Sequence, residues 1–148
     1  DVMHRPPRKP KEGIVNREIA QNVLFVSIFM AVGTLGVFTW ANAARDLGHA
    51  RTLAFTTLAM FQVFNSFNCR SRTQSVFRLG LFSNPYLVGT IALSISLQVL
   101  ANRLPLLQTA LGTEPLSWAD WGLVVLVSSS IFVAEEVRKL VRSKMRRA

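Results

Sequence analysis

Four apolar runs of roughly 17–25 residues, the length a hydrocarbon core requires, alternate along this chain with short charged or polar segments. They cover about residues 19–44, 51–68, 85–104 and 117–137 of a 148-residue sequence. A soluble domain of this length would scatter its charge. Here charge collects in three blocks between and beyond the runs. The pattern predicts an all-α polytopic membrane protein: a linker over 1–18, then a bundle of four transmembrane helices over 19–148 that ends in a basic tail, 138–148.

The basic residues set the expected orientation. Five lie in residues 1–18, three in the 69–83 segment and six in the tail. The other two connections hold only Arg45, Arg51 and Arg103. Lys and Arg accumulate on the cytoplasmic side of membrane proteins, so both termini and the middle loop are expected there. The net charge of +9 could signal nucleic acid. Because the cations flank membrane-length runs, anionic lipid is the expected partner and nucleic acid is not. The chain opens at Asp1, with no signal-peptide pattern before the first run, and is expected to be a piece of a longer polypeptide.

The second run is unlike the others. It reads TLAFTTLAMFQVFNSFN and carries Thr56, Thr57, Gln62, Asn65 and Asn68. Hydrocarbon offers those groups no partner, and burying an unpaired amide or hydroxyl costs about 4–8 kcal/mol by alkane transfer. Gln62 and Asn65, three apart, share a helical face that is expected to turn toward other helices or an ion path. Two readings of Gln62 stand: its carbonyl oxygen ligates a hard cation, or its amide bonds to a neighbouring helix. Asn65 has the same two readings, and Asn68 is expected at the interface.

The remaining signals are punctuation. The first run holds Gly33 and Gly36, which permit close helix approach. Trp40, Trp118 and Trp121 are expected to anchor one interface. Segment 69–83 has Arg70, Arg72 and Arg78 among apolar residues and is expected to lie on the membrane surface. Asn84-Pro85 opens the third run as a cap and a first helical residue. Gln98 falls near that run's far end, and Pro105 helps stop the helix. Ser117 caps the fourth run, with Asp120 three residues on. Ser128, Ser129 and Ser130 favour close packing. Glu135 and Glu136 are expected at headgroup level, paired with Arg138 and Lys139.

No span has a carboxylate at mid-depth. A dehydrated dication needs compensating charge as well as dipoles, so this chain alone cannot build a buried Ca²⁺ or Mg²⁺ site. It could supply a neutral ligand to a site completed elsewhere. The single Cys69 and the separated His4 and His49 give no metal-ligand spacing. There is no phosphate-binding glycine loop and no nucleophile beside a base, so no active site and no cofactor site are expected in the chain.

Three stretches carry a resemblance. DVMHRPPR, FTTLAMFQVFNSFNCRSRTQSVFRLGLFSN and PLSWADWGLVVLVSSSIFVAEEVRKLV resemble the C-terminal membrane region of P-type cation-transporting ATPases, the calcium-pump-like branch. The resemblance covers essentially the whole chain. It implies helices seven to ten of a ten-helix pump, with ATP and Mg²⁺ used by the parent protein's absent cytoplasmic parts. It implies Ca²⁺ as the transported cation, and the remaining membrane helices and cytoplasmic domains as partners. It places Gln62 where some calcium pumps carry an acidic ion ligand on the eighth helix. Gln is neutral, which fits pumps with one calcium site better. The competing expectation is a stand-alone four-helix transporter or scaffold subunit.

Overall fold

The computed structural model describes residues 17–69 and 84–145, and the regular elements among them are all helical. Helix α1 is Arg17–Ala44, α2 Leu47–Asn68, α3 Pro85–Arg103, α4 Pro105–Leu111 and α5 Trp118–Met145. The helix α2 is the hub: it packs against α1, α5 and α3, while α4 folds back on α3. Most of the linker, the amphipathic segment after Cys69 and the last residues of the tail lie outside the described residues.

Local chemistry explains the helix ends. The Asp46 side chain accepts hydrogen bonds from the amides of Gly48 (3.2 Å) and His49 (3.3 Å), satisfying two donors that a helix start leaves unpaired. Those bonds, from His49 foremost, hold the Asp46 carboxyl below the usual carboxylate range. The cap draws Leu47–Ala50 into α2, so the helix begins a turn before the apolar run does. Asn84 caps α3 through the amides of Tyr86 and Leu87 at 3.1 and 3.2 Å, and Pro85 takes the first helical position. Pro105 stops α3 and opens α4. Gly112 ends α4 with φ 63°, a left-handed geometry that glycine adopts without a Cβ penalty. Ser117 and Asp120 bond reciprocally at the start of α5: the Asp120 amide donates to Ser117 Oγ (3.2 Å) and the Ser117 amide to Asp120 Oδ2 (3.0 Å).

The core lies along α2 in two apolar clusters, bridged by Phe64 and Val127. Ala41, Ala50, Leu53, Phe61, Val124 and Ile131 are fully enclosed. Small residues set the spacing. Gly33 lets α1 close onto α2, since a Cβ there would come within 2.7 Å of Phe61 Cζ. Phe61 in turn meets Phe29 edge-on at 6.2 Å. Ser128 is completely buried and bonds back to Val124 O, so it packs closely without exposing a hydroxyl to the core.

The outside is as apolar as the inside. Leu24, Val32, Leu126 and Val133 are 61%, 65%, 71% and 65% exposed. So large an outward-facing apolar surface is unusual on a soluble protein. Two helices, Ile19–Ala44 and Pro85–Arg103, are long and apolar enough by composition to cross a membrane, with mean hydropathies of 2.1 and 1.3.

Candidate functional site

The polar residues of α2 divide between two faces. Thr52, Thr56, Thr57 and Asn68 are buried within the bundle. Gln62 stands on the exposed outer face, with Asn65 half-buried beside it. The expectation that Gln62 and Asn65 share a face holds, but within these helices that face turns outward.

The inward residues are mostly bonded. Thr56 Oγ1 accepts from Gln98 Nε2 and from Asn102 Nδ2, both at 3.1 Å. Gln98 and Asn102 are four apart on α3, so one face carries both amides. Thr52 Oγ1 donates to Gly48 O (3.0 Å) and accepts from the Glu114 amide (2.9 Å), tying α2 to the segment before α5. Asn68, the last residue of α2, is buried between helices, with Nδ2 3.4 Å from Ile131 O on α5. Thr57 Oγ1 is buried with no partner in the structure.

Gln62 borders two grooves. One, of about 370 Å³, lies against α1 and is lined by Ser27, Thr34 and Leu58 among others. The other, of about 540 Å³, lies against α3, with Ser66, Thr90, Ser94 and Gln98 among its lining residues. In the first groove Thr34 Oγ1 is buried without a partner among the described residues. Ser66 Oγ donates to the Gln62 main-chain carbonyl at 2.8 Å, and the Gln62 side-chain amide makes no hydrogen bond among the described residues. Gln62 thus faces two largely apolar grooves, each edged by a few hydroxyls.

Charge sits at the two ends. At one end Arg45 Nη1 lies 2.8 Å from His49 Nε2 and 3.3 Å from Asp120 Oδ1. Asp120, 3% exposed, also accepts from Ser117 Oγ at 2.7 Å, and its Oδ2 is 3.4 Å from His49 Nε2. Three helices, α1, α2 and α5, are thus clamped together. Trp40 and Trp118 are exposed here, and the Arg103 guanidinium lies 5.6 Å over the Trp118 ring. Trp121 instead packs partly into the core. At the other end Arg138 donates to Glu135 Oε2 at 2.8 Å, and Lys139 pairs with Glu136 at 3.3 Å. These pairings match expectation, but Glu135 is 2% exposed and so buried in the bundle. Sequence reasoning missed two separate sets: Asn102 beside Gln98 on Thr56, and His49 with Arg45 on Asp120. The four-residue spacing of Gln98 and Asn102 was the one available signal.

Among the described residues no three His, Cys, Asp or Glu side chains stand close enough to hold a metal ion. A helical bundle with an apolar exterior and charge at its ends has the surface a membrane domain needs. The match is specific: residues 1–141 fit the family described as "Cation transporting ATPase, C-terminus", and the chain belongs to that family. It is 34% identical over 142 residues to "Calcium-transporting ATPase 1" of Saccharomyces cerevisiae, covering 95% of this chain and 15% of the yeast protein. It is 37% identical over 131 residues to "Calcium-transporting ATPase" of Bacillus subtilis, covering 87% and 15%. With human "Calcium-transporting ATPase type 2C member 1" it shares 37% over 147 residues, covering 97% and 16%. The chain thus spans less than a fifth of the length of these relatives.

Proposed function

We propose that this chain is the C-terminal membrane support of an ATP-driven Ca²⁺ pump, and that its Gln62 face docks against the pump's ion-binding helices. In this reading α1, α2, α3 and α5 each cross the bilayer, with both termini and the 70–83 segment cytoplasmic. The observation that carries it is Gln62, an amide about two-thirds of the way along an apolar helix, with no hydrogen bond among the described residues and flanked by two grooves edged with hydroxyls. An uncommitted amide at that depth has no solvent to satisfy it, so a protein or ion partner has to. The names of the relatives supply the ion. Gln62 contributes a dipole to the cation or to one of its ligands, Asn65 supports it a turn away, and the charge comes from elsewhere in the pump. ATP and Mg²⁺ belong to cytoplasmic parts outside this chain.

Ion-dependent ATP hydrolysis by the whole pump tests this. Gln62→Leu is expected to weaken apparent ion affinity about tenfold, the low end for loss of a group that orients a metal ligand. Gln62→Glu is expected to shift affinity and make it more pH-dependent, because burial pushes a carboxylate toward protonation. Unchanged half-saturation in both variants returns Gln62 to a packing role. Orientation is checked separately. Single cysteines at Lys11, Thr73 and Ser143 are expected to resist an impermeant thiol reagent in intact cells, and labelling of any of them reverses the topology.

A further inference from the structure

On the other side of α1 from the Gln62 groove lies a second groove of about 320 Å³, between α1 and α5. Its lining residues are Phe25, Ile28, Phe29, Val32, Gly33 and Ser130. At 100° per residue, Phe25, Ile28, Phe29 and Val32 centre about 130° round the helix from Ser27, Thr34 and Leu35, which edge the Gln62 groove. The α1/α5 groove makes no polar demand. The Ser130 hydroxyl is spent on Val127 O within its own helix. Its flanks are apolar and outward: Ile28 is 55% exposed and Val133 65%. The groove therefore opens on the surface that faces lipid.

One end of the groove is charged. The Arg138 guanidinium lies 5.5 Å over the Phe25 ring. Its Nε and Nη2 both reach the same oxygen, Glu135 Oε2, at 3.2 and 2.8 Å. The Nη1 donors of Arg138 make no hydrogen bond among the described residues. A guanidinium offers a planar fork that suits phosphate oxygens, and one edge of this fork is uncommitted. From Phe25 to Val32 the groove runs for about 10 Å of helix at 1.5 Å per residue, the direction a lipid tail takes away from its headgroup.

We propose that the α1/α5 groove binds an anionic phospholipid, with an acyl chain along Phe25–Val32 and the phosphate on Arg138 Nη1. This rests on the membrane-spanning reading above but not on any role for Gln62. Selectivity has to come from the headgroup, because lipid tails are as apolar as the groove and gain little by entering it. A single basic group near the membrane surface supplies about a fivefold preference for an anionic lipid.

The test is lipid retention by the whole polypeptide that carries this chain, purified from bilayers of equal phosphatidylserine and phosphatidylcholine and read by native mass spectrometry. Wild type is expected to keep phosphatidylserine about fivefold over phosphatidylcholine, with no competition from inorganic phosphate. Arg138→Gln is expected to bring the ratio to about one. That variant also strips Glu135 of its partner, so Ser130→Phe carries the test if it fails to fold. Ser130→Phe fills the groove, leaves the ion pair in place and is expected to lower retention of both lipids. Equal retention by wild type, a ratio unchanged in Arg138→Gln, or retention unchanged in Ser130→Phe overturns the site. Co-purification of a single-span protein in place of lipid overturns it in favour of a protein partner. Because retention is read without ATP hydrolysis, an inactive protein that still retains phosphatidylserine defeats the pump reading alone. An active one with equal retention defeats this site alone.

Discussion

The end of the bundle around Asp120 and the mid-depth of α2 use polar groups in opposite ways. Around Asp120 the groups answer one another: Arg45, His49 and Ser117 converge on one carboxylate, and Thr52 and Thr56 hold the neighbouring segments. At mid-depth, Gln62 faces out and Thr34 and Thr57 have hydroxyls without partners. Satisfied networks fix helices in place, and half-satisfied ones are costly unless something completes them. The bonded end is thus where this chain holds itself together; at the unbonded level Gln62 is the group left facing outward, toward the neighbours that the proposed function assigns it.

The largest expected effect is at Asp120. Asp120→Ala removes the cap of α5 and leaves Arg45 and His49 facing each other without the carboxylate. Breaking a buried pair costs about 3–5 kcal/mol, and the figure must be discounted because Arg45 is 44% exposed. A loss of about 2–3 kcal/mol is expected in thermal unfolding of the detergent-solubilised protein. A change under about 0.5 kcal/mol would show that the clamp does not secure the bundle, and the comparison would fail at its firmer half.

The next test puts one substitution at two amides. Gln98→Leu deletes a donor to Thr56 inside the bundle. Membrane-interior hydrogen bonds average about 0.6 kcal/mol, so a stability loss of about 0.5–1 kcal/mol is expected, with ion affinity unmoved. Gln62→Leu is expected to leave the stability of these helices unchanged, since it breaks no bond within them, and to act on affinity alone. Equal stability losses at the two positions would mean that Gln62 is as structural as Gln98.

What was legible in the sequence was whatever is encoded over a few residues. Asn84-Pro85 and Ser117 with Asp120 announced their helix starts, because a cap is a contact between near neighbours. The polarity of α2 marked it as the hub, because uncharged polar groups in a membrane-length run must meet other helices. The early start of α2 at Leu47 was hidden by the polar run ARDLGHAR, which reads as loop until Asp46 is recognised as a cap. Helix α4 was hidden the same way inside a segment with two prolines. Asn68 and Glu135 sit near helix ends and read as exposed, yet contacts between helices bury both. Which face Gln62 presents was not legible at all. Helical spacing groups Gln62 with Asn65 but cannot say whether that face meets α5 or a helix outside the chain.

The finest test sits on two adjacent, chemically identical residues. Thr56 and Thr57 are both fully buried. Thr56 Oγ1 serves two amides on α3, and Thr57 Oγ1 serves none. Replacement by Val keeps the shape and deletes the hydroxyl. At Thr56 this orphans the donors of Gln98 and Asn102 and is expected to cost about 1 kcal/mol, within the range for stranding a buried polar group. At Thr57 no bond is lost and a desolvated hydroxyl is removed, so stability is expected to hold or rise by up to about 1 kcal/mol. Thermal unfolding of the two variants side by side gives the sign. A loss at Thr57 equal to that at Thr56 would show that the Thr57 hydroxyl is bonded after all, and would remove Thr57 from the incomplete level.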